Sequence, residues 1–163
     1  MPFCSKRCNY CDFYLITNLN VIEKFLSNLK REISLSSESF KVNHFDTIFF
    51  GGGTPSVLSD FQTGDIINHL YKNFSISNEA EISLESNPED FVEKKSENYK
   101  SAGINRLSFG VQSFKDSELK FLTRQHSAKQ AERVIREASV HFENINVDII
   151  YSLPLQTEED IGY

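Results

Sequence analysis

Apolar residues in this chain switch repeatedly between two spacings, and that alternation limits the fold more than any single motif does. Ile22, Phe25, Leu26, Leu29 and Ile33 recur at helical spacing, with the polar stretch Ser34 to Ser39 read as the end of that helix. Phe45 to Phe50 is a short apolar run that meets Gly51-Gly52-Gly53, the pattern of a buried strand entering a glycine turn. Ile66, Ile67 and Leu70 return to helical spacing within residues 63–71, and Glu81 to Glu85 reads as a second strand. Asn87-Pro88-Glu89-Asp90 has the order of a helix start, a capping side chain followed by Pro and acids, and that helix is expected to stop at Gly103. Asn105 to Val111 predicts a third strand. Ser127 and Gln130 have capping-box spacing ahead of the stripe Ala131, Val134, Ile135 and Ala138. Ile145 to Leu153 is the last predicted strand, and Thr157 to Asp160 resembles a helix beginning.

Helix and strand therefore alternate four times, which argues for parallel strands joined by helical crossovers. A closed eight-stranded barrel typically takes ~250 residues, so 163 residues predict an open α/β sheet or part of a barrel. With 39% hydrophobic and 25% charged residues the composition is that of a globular domain, and 14 Phe with no Trp predict a core packed by phenylalanine. Lys and Arg are scattered and the net charge is −6, which disfavours a nucleic-acid partner. No apolar run is long enough for a transmembrane segment, and no basic stretch precedes one as in a secretory signal. The expected compartment is the reducing cytoplasm.

Cys4, Cys8 and Cys11 are the only cysteines, spaced C-x3-C-x2-C. An odd number crowded this tightly is not a disulfide framework. Three thiolates on one short loop can hold three irons of a cubane and leave the fourth open. A zinc site completed by a distant His, or three unrelated thiols, are the alternatives. Lys6 and Arg7 between the thiols are expected to favour thiolate over thiol.

Gly51-Gly52-Gly53-Thr54-Pro55 follows directly on a strand and is either a tight turn or a backbone cradle for a carboxylate or ribose. It lacks the spacing of a P-loop or a dinucleotide fingerprint. Glu85, Gln112 and Asp148 sit at or near the C-terminal ends of predicted strands, where buried polar groups need partners and where α/β folds bind ligands. One such residue alone is as well explained by a structural hydrogen bond; three on successive strands point to a shared site. Arg124 is read either as a bidentate clamp for a carboxylate or as a surface arginine, and singly the surface reading is favoured. His44, His69 and His141 are expected to be structural, with His126 set apart by its neighbour Arg124.

Five motifs in order carry a resemblance. They are Pro2-Phe3-Cys4 through Cys8 to Cys11-Asp12-Phe13, Phe50-Gly51-Gly52-Gly53-Thr54-Pro55-Ser56, Leu84-Glu85-Ser86-Asn87-Pro88, the run Gly103 to Phe114, and Asn146 to Pro154. From Pro2 to about Thr157 the chain resembles the radical S-adenosylmethionine family that contains oxygen-independent coproporphyrinogen III oxidase and a related haem chaperone. The resemblance implies a (β/α)6-type barrel, a [4Fe-4S] cluster on Cys4, Cys8 and Cys11, and S-adenosylmethionine at the open iron. It further implies cofactor contacts from Tyr10, Gly52, Gly53, Thr54, Glu85, Gln112, Arg124 and Asp148. In such proteins the reduced cluster gives an electron to the sulfonium, and the resulting radical abstracts hydrogen.

Position 13 separates two branches of the resemblance. The oxidase branch usually has a further Cys there, whereas Phe13 matches the haem-chaperone branch. Haem delivery to a client protein is therefore expected ahead of coproporphyrinogen decarboxylation, with a non-catalytic cluster-binding domain as the third reading. The implied partners are haem or a porphyrin, a haem-accepting client and an electron donor to the cluster. The resemblance also departs in places. Met1 stands where a preceding strand would end, and Ser152 replaces a usual glycine. The first and last barrel strands and the family's C-terminal domain are expected to be absent, leaving residues 1–163 as a partial core domain.

Overall fold

The computed structural model describes residues 1–40, 44–92 and 94–161. Four strands, β1 (His44–Phe50), β2 (Ser75–Ser86), β3 (Arg106–Gln112) and β4 (Asn144–Ile149), pair in parallel in the order β1-β2-β3-β4. α1 (Ile22–Ser39) precedes β1, α2 (Asp60–Asn73) joins β1 to β2, and α3 (Lys95–Ser101) joins β2 to β3. α4 (Asp116–Phe121) and α5 (Ala128–Ala138) lie between β3 and β4. The helical returns are what parallel pairing demands of the chain.

Register gives the sheet two unlike faces. Leu84 pairs with Leu107 and Leu107 with Ile145, while Glu85 pairs with Ser108 and Ser108 with Asn146. Side chains alternate along each strand. Ile82, Leu84, Leu107, Phe109 and Val111 therefore share one face and enter the core with Phe3, Phe50, Phe91, Tyr99 and Phe142. Ser83, Glu85, Arg106, Ser108, Gly110, Gln112, Asn146 and Asp148 share the other. The phenylalanine core is present, although Phe13, Phe40, Phe49, Phe61, Phe114 and Phe121 remain exposed.

Several elements differ from the sequence expectation. The serine run does not end α1: the hydroxyls of Ser34, Ser37 and Ser39 donate to the carbonyls of Lys30, Ser34 and Leu35 one turn back. With their polarity met locally, the helix continues until the extended Phe40. β1 is not buried, because it pairs on one side only; Phe49 is 61% exposed. α2 starts earlier than its apolar stripe, at the capping box in which Ser59 and Gln62 exchange hydrogen bonds. Ser127 caps α5 in only half of that way, since the Gln130 side chain goes to Pro88 O instead.

No continuous helix runs from Asn87 to Gly103. Pro88–Asp90 forms one 3-10 turn, buried Phe91 follows, and α3 begins only after Lys94 at φ 65°. The Asn87 side chain does not cap this turn. β4 stops at Ile149, short of Leu153, and the chain passes through left-handed backbone at Ser152 and Leu155. The last segment is a 3-10 helix at Glu158–Ile161. α4 had no apolar stripe to reveal it, for its six residues bury only Glu118 and Leu119.

Candidate active site

All eleven expected site residues line one open cleft, about 180 Å³ in volume, at the C-terminal ends of the strands. Cys4, Cys8, Tyr10 and Cys11 come from the loop before α1, and Gly52, Gly53 and Thr54 from the turn after β1. Glu85, Gln112 and Asp148 come from β2, β3 and β4, and Arg124 from the connection between α4 and α5.

The cysteine loop is shaped by its own backbone and fastened at a distance. Cys11 N–H donates to Cys8 O at 3.2 Å, and Arg7 donates to the carbonyls of Cys11 and Phe13 at 3.0 and 3.3 Å. Arg7 therefore closes the loop. Asn9 donates from its backbone to Thr123 Oγ1 at 3.0 Å and from its side chain to Phe121 O at 2.8 Å, and Ser5 donates to Gln125 at 3.3 Å. All three thiols are free, Cys4 buried and the other two half-buried. Burial pushes the Cys4 thiol up; a 3.1 Å contact with Thr54 Oγ1 opposes it, and the neighbouring Cys11 and Cys8 add to it. Among the described residues no three His, Cys, Asp or Glu side chains are arranged to hold a single metal ion. Thiols that each bond a different corner of a cubane need no such convergence.

The glycine turn lies against the Met1–Phe3 segment. Gly53 N–H donates to Met1 O and Thr54 N–H to Phe3 O, both at 2.6 Å. A side chain at Gly53 would meet Phe3 O at 2.6 Å, and Gly52 has φ +112°, so neither position admits another residue without movement. Gly52 N–H donates to Glu85 at 3.0 Å. Burial pushes the Glu85 carboxyl up, Gly52 opposes it, and Asp148 across the cleft adds to it. Asp148 is itself exposed and accepts from Asn146 at 2.7 Å, while Asn146 also donates to Ser108. Glu85, Gln112 and Asp148 are thus not buried intruders in a strand core. They open onto the cleft from the polar face. Gln112 occupies φ 72°, at an irregularity in the β3–β4 register, an unusual cost for a residue with a side chain.

Arg124 is not a surface residue. Its side chain is 5% exposed. Nη2 donates to Asn87 Oδ1 and Gly110 O at 2.7 Å each, Nη1 faces Cys8 Sγ at 3.7 Å, and Glu89 lies 3.6 Å away. Asn87 in turn donates to Thr54 Oγ1 at 3.1 Å, which links the glycine turn to the arginine. Tyr10 stands beside this group, its hydroxyl pushed up to about 12 by burial against the opposing pull of Arg124. His126 is buried and bonded to Glu89 and to Val111 O. Of the other histidines, His69 bonds Ser34 and Lys30 O between α1 and α2, as a structural residue would. Sequence reading missed Asn87, Glu89, Ser108 and Asn146; the only hint was that Asn87 and Glu89 flank a proline directly after a strand.

Residues 1–162 match the sequence profile of the radical SAM superfamily. The chain belongs to that superfamily. Membership implies a [4Fe-4S] cluster and S-adenosylmethionine as cofactors. The chain is 36% identical to the haem chaperone HemW of Buchnera aphidicola subsp. Schizaphis graminum over 99% of its length and 43% of the relative's. It is 38% identical to HemW of Bacillus subtilis, over 96% of this chain and 42% of that one. It therefore spans about two fifths of these curated relatives. Among solved structures, coproporphyrinogen III oxidase (HemN) from Escherichia coli superposes with a TM-score of 0.89 at 31% identity, over 99% of this chain and 38% of that one. The four-stranded sheet is accordingly part of a radical SAM barrel. Among the described residues no helix is long and apolar enough to cross a membrane.

Proposed function

We propose that Cys4, Cys8 and Cys11 hold a [4Fe-4S] cluster, that S-adenosylmethionine lies in the adjoining cleft, and that the protein binds haem and delivers it to a client. The convergence of all eleven residues on one cleft carries the cofactor part. When bound, the reduced cluster supplies one-electron cleavage of the sulfonium. The residues of the chain bind and orient. Three thiolates leave one iron open, and Arg124 offers positive charge beside Cys8. Glu85 and Asp148 are acceptors suited to ribose hydroxyls or an ammonium, Gln112 adds an amide, and Tyr10 excludes water from one wall. Gly52, Gly53 and Thr54 let the ligand approach the backbone.

Likeness to proteins named haem chaperones supports haem delivery, as does Phe13, 66% exposed at the edge of the cleft, where a further cysteine would mark the oxidase branch. A client protein and an electron donor, both in the cytoplasm, complete this reading, with residues 1–163 as a partial core domain. Anaerobic reconstitution should load four irons and four sulfides per chain. Cys4→Ala, Cys8→Ala and Cys11→Ala should each abolish loading, and haem should then bind without release of carbon dioxide from coproporphyrinogen III. Stoichiometric zinc without labile sulfide would overturn the cluster, and carbon dioxide release would reverse the choice of branch.

A further inference from the structure

Arg124 holds one donor in reserve. Its Nη2 is occupied by Asn87 and Gly110, yet its buried Nε–H has no partner among the described residues. A buried unmet donor is costly unless a ligand meets it. The nearest carboxylate, Glu89, has not closed on the guanidinium: the 3.6 Å separation is an ion pair and too long for a hydrogen bond. Glu89 is turned instead to His126 Nδ1 at 2.9 Å.

His126 is fixed from behind. Its side chain is 0% exposed, and Nε2 faces Val111 O at 3.1 Å. A carbonyl can only accept, so Nε2 carries a hydrogen. Glu89 is ionised: burial pushes its carboxyl up, but the His126 bond and the Arg124 charge outweigh that and hold it below the usual range. The imidazole is thus anchored to β3 at one end and grips Glu89 at the other.

We infer that His126 and Glu89 are positioning residues, His126 holding the Glu89 carboxylate off Arg124 so that the guanidinium keeps an N–H for the carboxylate of S-adenosylmethionine. Charge stays balanced by Glu89 nearby while the Nε–H stays unpaired. Without His126 the carboxylate is free to swing the short distance to Arg124 and take the place of the ligand's own carboxylate. Support of this kind, one residue removed from the ligand, sets how well a site is organised before binding.

The inference rests on placing S-adenosylmethionine in this cleft, and calorimetry on the reconstituted full chain separates the two claims. His126→Phe should weaken S-adenosylmethionine binding about tenfold, the worth of one charge-assisted hydrogen bond, with iron and sulfide content unchanged. Adding Glu89→Gln to that variant should restore affinity, because the competing carboxylate is gone. Decarboxylated S-adenosylmethionine should bind wild type and His126→Phe alike. His126→Ala, smaller than the ring it replaces, repeats the test should the phenylalanine disturb folding. Unchanged affinity in both His126 variants, or a loss that Glu89→Gln fails to restore, would overturn the positioning role. A cluster-loaded wild type that takes no S-adenosylmethionine would overturn the placement of the ligand and this inference with it.

Discussion

The two faces of the sheet are built from the same strands and obey opposite rules. On one, Leu84, Leu107, Phe109 and Val111 are fully buried, and each is exchangeable only at the cost of packing. On the other, Glu85, Ser108, Gln112 and Asp148 face a cleft, and Gln112 carries left-handed backbone. A one-residue shift of register would exchange the faces. Register therefore places Glu85, Gln112 and Asp148 on the cleft, and the Leu84–Leu107–Ile145 ladder that fixes it is part of the site in effect.

Substitutions on either face sharpen this contrast. The largest effect should come from Phe109→Ala, which deletes a ring packed edge-on against Phe91 at 4.9 Å and should cost about 3–5 kcal/mol in urea unfolding. A loss under about 1 kcal/mol would mean that this face is not the one holding the domain together. Gln112→Gly should do the reverse, releasing left-handed strain for a net gain of about 0.5–1 kcal/mol after the entropy cost of glycine, while weakening S-adenosylmethionine binding. Equal stability and equal affinity would erase the distinction at that residue.

The smallest effect concerns pH. The folded state holds the Glu85 proton more tightly than the unfolded chain does, because of burial and then Asp148. Stability should therefore fall as pH rises from the ordinary carboxylate range through Glu85's raised value. Glu85→Gln should flatten that slope in thermal unfolding measured across the window. An unchanged slope would show that the polar face holds no proton of consequence there.

The sequence revealed what local spacing encodes. Alternating apolar residues announced the parallel sheet, and Glu85, Gln112 and Asp148 announced the strand ends. It failed where a side chain's partners lie far along the chain. Arg124 looked like a surface residue because Cys8 is 116 positions away and Asn87 is 37. Asn87 looked like a helix cap because its bonds to Thr54 and Arg124 leave no local trace. The serine run looked like a helix end because hydroxyls that bond back one turn are indistinguishable, in sequence, from hydroxyls that compete with the helix.

The fastening of the cysteine loop bears on the order of events in the protein's making. Asn9 meets Thr123 across a separation of 114 residues, and Ser5 meets Gln125 across 120. Contacts so distant in the chain close late in folding, since the intervening loop must first be ordered. While the ribosome is still translating, the three thiols have already emerged, yet the segment that cradles their loop has not been synthesised. The loop that presents Cys4, Cys8 and Cys11 is therefore held in place only once the segment around Thr123 and Gln125 has been made, and until then the nascent chain carries three unshielded thiols.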